Sequence, residues 1–167
     1  MRTPTTRRRA LALSGAAAAG LLAGCSNEGT PSGASGTETS SAARRAALRI
    51  RETAVRTSAD LLAHYDALLV KHPGQADRLA PLRAEVARQT EVLRGTGVRA
   101  AAGSAPVTVA ADPRAAVREL AAAEQRACDA QFAAVVRATP ELARLLASVA
   151  AAGAVHVYLL TDGGATT

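Results

Sequence analysis

The chain has 167 residues and a formal net charge of +6, and 49% of its residues are hydrophobic although only 2% are aromatic. Four arginines and no acidic residue precede Cys25, so the charge falls to +2 without that segment. No basic stretch is interleaved with aromatic residues that could stack on bases. The composition therefore argues against a nucleic-acid-binding protein, and its richness in alanine, leucine and arginine predicts an all-α fold.

Residues 1–24 have the layout of a secretory signal peptide. A cationic segment leads into an apolar stretch from Ala10 to Ala23, which is shorter than the ~20 apolar residues that span a bilayer. The alternative interpretation is the alanine-rich N-terminal helix of a cytosolic protein. Arg8 and Arg9 resemble a twin-arginine export signal, and the sequence leaves the export route open.

Residues 22–25, LAGC, resemble the lipobox of bacterial lipoproteins. The resemblance implies that a peptidase removes residues 1–24 and that the Cys25 thiol accepts a diacylglyceryl group. Two acyl chains give stable membrane anchoring, whereas one chain gives marginal binding. We therefore expect a protein held on the extracytoplasmic face of the cell membrane by lipid on Cys25. Residues 25–41 are rich in serine, glycine and threonine, which predicts a flexible tether.

From residue 42 the apolar pattern becomes helical. The first predicted helix runs over residues 42–71 and ends at His72-Pro73-Gly74; the second continues to about Arg94, with Pro81 either kinking it or opening its main part. The predicted inner faces recur at steps of three and four. In the first helix these residues are Ala47, Ile50, Ala54, Thr57, Leu61, His64 and Leu68, and in the second Leu79, Leu82, Val86, Gln89 and Leu93.

A long connection, residues 95–111, separates these helices from two more. Asp112 can cap the third helix and Pro113 suits its first position, and Thr139-Pro140-Glu141 repeats this start for a fourth helix. The predicted bundle ends near residue 162, before a short tail, 163–167. In the third helix the predicted inner face is Val117, Leu120, Glu124, Ala127 and Gln131, adjoined by Phe132 and Val135; in the fourth it is Leu142, Leu145, Val149, Ala152, His156 and Leu159.

Four amphipathic helices with a long middle connection predict a four-helix bundle. A connection as long as a helix makes helices two and three parallel, which is the ferritin-like arrangement, whereas an up-down-up-down bundle needs only a short loop there. We therefore predict a ferritin-like bundle over residues 42–162 with a crossover between its second and third helices.

Three stretches resemble a known family: LLAHYDALLVKHPGQADRLAPLRAEVARQTEVL, VRELAAAEQRACDAQ and ELARLLASVAAAGAVHVYLL. They are similar to the ferritin-like domain of unknown function found in actinobacterial lipoproteins. The resemblance covers about residues 45–160 and implies a ferritin-like bundle at the outer face of the cytoplasmic membrane. It implies no activity.

The di-iron chemistry of ferritin-like proteins needs a Glu from each of two helices and a Glu-x-x-His pair from each of the other two. Here the corresponding slots are Glu85-x-x-Arg88 and Gly153-x-x-His156. Each slot keeps one half of the pair, which argues against ferroxidase activity.

Glu124 and His156 lie on predicted inner faces at similar depth, and the crossover topology places His64 near that depth. Buried ionisable groups are costly unless they are paired. Three interpretations stay open: a hydrogen-bonded Glu–His cluster joined by Gln89 or Tyr65, a single-metal site on His64, Glu124 and His156, and an acid–base pair. Cys128 has no disulfide partner if Cys25 is acylated, and its helical setting favours a small packed residue over a reactive thiol.

No nucleophile with a base at suitable spacing, phosphate-binding loop or zinc-type cluster is found in the sequence. The sequence therefore favours a lipid-anchored, non-enzymatic module that binds a protein partner, a small ligand or a second copy of itself. The alternative is a metal-binding or redox protein on a degenerate ferritin-like bundle.

Overall fold

The computed structural model describes residues 35–99 and 105–161. It contains four helices: α1 (Ser35–Lys71), α2 (Ala76–Arg94), α3 (Pro113–Ala134) and α4 (Pro140–Thr161). Short 3-10 turns at Pro73–Gln75 and Val135–Arg137 precede α2 and follow α3. These ranges contain no strand, so the prediction of an all-α bundle of four helices is confirmed.

The start of α1 differs from the sequence prediction. The helix begins at Ser35 rather than at residue 42, so the end of the predicted flexible tether is helical. Serine and threonine cost only a few tenths of a kcal/mol in a helix, and extending an existing helix avoids the cost of nucleation. The signal peptide (1–24), Cys25, the rest of the tether and the tail (163–167) lie outside the described residues.

Side-chain to backbone hydrogen bonds fix the directions of the helices. Arg51 of α1 donates to the carbonyl of Leu93 near the end of α2 (2.8 Å), whereas Lys71 at the end of α1 donates to the carbonyl of Val109, just before α3. Both neighbours of α1 are therefore antiparallel to it. The connection from α2 to α3 accordingly joins opposite ends of the bundle, and the Cα atoms of α2 and α3 do not approach within 8 Å.

The helix starts follow the predicted chemistry where the structure describes them. The Asp112 side chain accepts a hydrogen bond from the backbone N–H of Ala115 (2.7 Å), so it caps α3 as expected. α4 begins at Pro140, directly after Thr139. Pro81 lies inside α2 and does not divide it into two helices.

The core has two apolar clusters, one on each side of a set of buried polar residues. Burying a leucine side chain contributes about 1.5–3 kcal/mol, so these clusters supply most of the folding energy. The first includes Leu68, Leu79, Leu120 and Leu160; the second includes Val55, Leu93, Leu142 and Leu146. The buried polar residues are Ser58, Thr90, Glu124, Gln131 and His156.

The predicted inner face of α3 is confirmed in its main residues, because all five from Val117 to Gln131 are buried. The prediction that Phe132 adjoins this buried face is wrong, since 67% of the Phe132 surface is exposed. It lies one residue beyond Gln131, about 100° further round the helix.

The predicted inner face of α4 is correct at every second position. Leu142, Val149 and His156 are buried, but the other predicted residues are only half-buried or exposed. Their places inside the core are taken by the next residue along the chain in each case: Leu146, Gly153 and Leu160. Gly153 lies against Cys128 of α3, and the absence of a side chain there turns this side of α4 towards α3.

The predicted inner face of α1 is confirmed at Ala54, Leu61 and Leu68, which are buried, but the buried arc extends to one side of it. Val55, Ser58 and Tyr65 are buried, whereas Thr57 and His64 are only half-buried. α1 packs against both α2 and α3, so its buried arc is wider than a single stripe and is centred next to the predicted one. This displacement decides which α1 side chain reaches the middle of the bundle.

Candidate functional site

The middle of the bundle contains a buried polar layer made of Tyr65, Glu124 and His156, one residue from each of α1, α3 and α4. The exposed fractions of these residues are 0%, 2% and 5%. Glu124 and His156 lie on antiparallel neighbours that are joined by a short turn, so the two residues come to the same depth. The antiparallel packing of α1 on α3 brings Tyr65 to that depth as well.

A single oxygen atom connects the three side chains. Glu124 Oε1 accepts a hydrogen bond from the Tyr65 hydroxyl (2.6 Å) and lies 3.0 Å from His156 Nδ1. An ionised carboxylate can only accept, so the His156 tautomer that carries its hydrogen on Nδ1 is the one that donates to it. Hydrogen bonds to an ionised acceptor are about twice as strong as neutral ones. The two donors thus stabilise the buried carboxylate.

Electrostatics keeps Tyr65 protonated. Its burial raises the pKa of the phenol far above the ordinary value, and the charge of Glu124 and the hydrogen bond to it raise the pKa further. The phenol therefore remains a donor over the whole accessible pH range. It is not available as a base, and its O–H stays directed at Glu124 Oε1.

The remaining helix, α2, approaches the layer through Glu85, whose carboxylate is engaged elsewhere. Arg88 donates to Glu85 Oε2 (3.0 Å), and Gln89 donates to Oε1 (2.8 Å). The hydrogen bond from Arg88 is the largest cause of the lowered pKa of Glu85, with smaller contributions from Gln89 and the charge of His156. Glu85 is therefore within electrostatic reach of His156 but is paired with the exposed Arg88.

His64 lies apart from the layer. It lines a separate cavity with Asp60 and Arg126, and its Nε2 is buried without a hydrogen-bond partner in the described part of the chain. Burial lowers the pKa of His64, while Glu119 opposes that shift and Arg126 adds to it. The structure thus brings together Glu124 and His156, two of the three residues singled out as weak metal candidates, and leaves the third outside.

A small cavity lies beside Glu124 and is lined by Ser58, Gln89 and Gln131 as well as by Gly153. Its volume of about 10 Å³ is close to the ~10–15 Å³ that one water molecule requires. The cavity has room for a water but not for an organic substrate. Within residues 35–99 and 105–161, no group of three or more His, Cys, Asp or Glu side chains is arranged to hold a metal ion.

Cys128 behaves as a packing residue. Its Sγ donates to the carbonyl of Ala150 on α4 (3.0 Å), and burial is the largest cause of the raised pKa of the thiol. Reactive cysteines have a lowered pKa, because the thiolate is the nucleophile. The thiol at this position therefore stays protonated and joins α3 to α4.

Two features of the site were not identified from the sequence. The sequence indicates Tyr65 only as an accessory partner of the cluster, although it is the residue of α1 that completes the layer. Its aromatic ring, next to His64 in a chain with 2% aromatic residues, was the available signal. The second feature is a cleft between α1 and the end of α3, for which the spacing of residues gave no indication.

Compared with known proteins, the chain matches no family model, no curated protein and no solved structure. Among the described residues, α4 is long and apolar enough to cross a membrane by length and composition, with a mean hydropathy of 1.6. The core helix of a soluble bundle meets the same criterion, and α4 carries His156 on the face that packs against α3.

Proposed function

We propose that this chain is a lipid-anchored protein of the extracytoplasmic membrane surface, whose ferritin-like bundle serves as a binding or interaction module rather than as an enzyme. The observation that carries the proposal is the engagement of Glu124 Oε1 by two donors from neighbouring helices. This oxygen accepts hydrogen bonds from both Tyr65 and His156, so the central carboxylate of the bundle is used for internal bonding.

The ferritin-like assignment is supported by the arrangement of the helices. The long connection joins the C-terminus of α2 to the N-terminus of α3, and these two helix termini lie at opposite ends of the bundle. In a di-metal protein of this type, carboxylates from all four helices converge on the metal ions. Here α1 offers the phenol of Tyr65, and the α2 carboxylate, Glu85, is paired with Arg88. Hydrogen bonds thus connect three helices where metal bridges connect four.

The anchoring is supported by the order of signals in the first 41 residues: basic segment, apolar segment, LAGC and tether. Its test is the variant Cys25→Ser, with Cys128→Ser as the matched control. We expect Cys25→Ser to accumulate as an uncleaved precursor or to leave the membrane fraction, and the mass of the wild-type chain to show acylation. Unchanged processing and membrane retention of Cys25→Ser would contradict the lipoprotein assignment.

The second candidate function is a metal-binding or redox protein on a degenerate ferritin-like bundle. The observation that favours it is electrostatic: the pKa of a second carboxylate, Glu85, is lowered mainly by the hydrogen bond from Arg88 and in smaller part by the charge of His156. A metal analysis of the purified chain separates the two functions. Stoichiometric iron, manganese or zinc that is lost in His156→Ala but kept in His72→Ala would establish the second candidate.

A further inference from the structure

The structure contains a cleft of about 370 Å³ between α1 and the C-terminal end of α3. Its floor is apolar, with Ile50 half-buried and Ala54 buried, and its rim carries the exposed residues Arg49, Thr53 and Arg137. The volume lies in the range of ordinary small-molecule sites, roughly 300–1,000 Å³. The combination of a basic rim and an apolar floor suits an amphiphilic anion.

The two arginines of the cleft are available for a ligand. Elsewhere, Arg83 and Arg94 pair with carboxylates, and Arg51 donates to a backbone carbonyl. Within residues 35–99 and 105–161, the guanidinium groups of Arg49 and Arg137 form no hydrogen bond or ion pair, and Arg49 is bonded only through its backbone, whose carbonyl accepts from the Thr53 hydroxyl (2.9 Å). A guanidinium presents a planar fork of donors that matches a phosphate or carboxylate in bidentate geometry.

The cleft lies at the more positive end of the bundle. We define the basic end as residues 40–59, 87–99 and 129–149, which the antiparallel contacts place together. It carries ten arginines and four acidic residues, whereas the other end, residues 60–86, 105–128 and 150–161, carries six basic and seven acidic residues. Positive potential is thus concentrated at one end of the bundle.

The basic end is also where α1 enters the bundle. Nine residues lie between Cys25 and the start of α1 at Ser35, and the ten steps from Cys25 to Ser35 span at most ~35 Å. The proposed lipid attachment therefore limits how far the start of α1 can lie from a membrane surface. An anionic leaflet attracts basic groups by about 1 kcal/mol for each arginine near the surface.

We propose that this cleft binds the headgroup of an anionic phospholipid, with Arg49 and Arg137 donating to phosphate oxygens and Ile50 and Ala54 contacting the apolar atoms beneath them. The bundle then lies with its basic end on the membrane surface. This inference rests on the proposed function, because the anchor on Cys25 is what keeps the cleft at the bilayer.

The test is amide hydrogen exchange of the acylated full chain on vesicles of phosphatidylglycerol and phosphatidylcholine, compared with vesicles of phosphatidylcholine alone. We expect slower exchange in residues 46–57 and 130–137 on the anionic vesicles only. Arg49→Glu with Arg137→Glu should abolish this protection. The matched control, Arg114→Glu with Arg118→Glu, reverses two exposed arginines at the other end and should retain it. Equal exchange on both vesicle types would overturn the proposal.

Two further arms identify the source of the anion and separate the two proposals. Inorganic phosphate that protects the same residues on neutral vesicles as strongly as the anionic vesicles do would overturn the lipid assignment. If the purified chain carries no acyl group, the anchoring proposal fails. The cleft proposal is then tested separately, by sedimentation of the unacylated chain with the same vesicles. Binding that falls roughly 30-fold in the cleft variant supports the cleft, and equal binding of cleft and control variants overturns it.

Discussion

The buried layer and the cleft at the basic end differ in whether their charged groups have partners within the protein. In the layer, the carboxylate of Glu124 is almost completely removed from water, and two donors satisfy its Oε1. At the cleft, Arg49 and Arg137 are exposed, and their guanidinium groups have no partner in the described ranges. A buried carboxylate oxygen that accepts two internal hydrogen bonds is used by the fold. Guanidinium groups that line a cavity without an internal partner are available to a ligand. The contrast is the reason why we propose binding at the end of the bundle and not at its centre.

The two histidines near the core show the same contrast on a smaller scale. His156 donates to Glu124 and is part of the layer. His64 has a buried Nε2 with no partner among the described residues, and it faces a cavity outside the layer. We expect loss of His156 to act through the free energy of unfolding, and loss of His64 to act mainly through the dependence of that free energy on pH.

The largest expected effect follows from Glu124→Leu. This change leaves the Tyr65 hydroxyl and the His156 Nδ1–H buried without an acceptor, and breaking a buried pair in this way costs about 3–5 kcal/mol. Denaturant unfolding measures the loss. The control is Glu52→Leu, an exposed position on α1, where we expect a change within about 0.5 kcal/mol. Equal small effects of the two variants would show that the layer does not stabilise the bundle.

A smaller effect is expected from Tyr65→Phe, which removes one of the two donors to Glu124 but keeps the ring in the core. A hydrogen bond to a charged group contributes about 1.5–3 kcal/mol, so the unfolding free energy should fall by that amount. In the background of Glu124→Leu the same substitution should cost much less, because the bond is already absent. Equal costs in both backgrounds would contradict a direct bond between Tyr65 and Glu124.

The smallest effect concerns His64 and pH. Because burial lowers its pKa in the folded state, the unfolded chain binds a proton first as the pH falls below 6.5. Stability should therefore decrease from pH 7 towards pH 5, by at most about 1.4 kcal/mol per pH unit. His64→Gln should make the profile shallower in that range and leave its slope above pH 7 unchanged. An identical profile in wild type and variant would show that His64 stays equally accessible to protons in both states.

Much of the fold could be predicted from the sequence, because local chemistry determines it. A capping residue and a proline set the start of α3 at Asp112-Pro113. Proline and glycine end α1 at His72-Pro73-Gly74, and the periodicity of apolar residues gives the buried stripe of α3. The predicted start of α1 was wrong, because extending an existing helix into serine and threonine residues costs little free energy. Such an extension leaves no signal in the composition.

The site was predicted less completely, since it depends on how far each helix is rotated. The pairing of Glu124 with His156 followed from their equal distance to a short turn. The choice between His64 and Tyr65 depends on a rotation of about 100° around α1, and that rotation is set by packing against two helices at once. The cleft could not be predicted because it exists only where α1 and the end of α3 come together.

The most direct test of the central claim, that the three side chains of the layer are bonded to one another and not kept for a ligand, is the unfolding free energy of the apolar triple variant Tyr65→Phe, Glu124→Leu and His156→Leu. Replacing a whole buried network by apolar residues of similar volume is often neutral or stabilising, whereas breaking it at one residue is costly. We therefore expect the triple variant to recover most of the stability lost in Glu124→Leu. A triple variant that is less stable than Glu124→Leu alone would contradict the account.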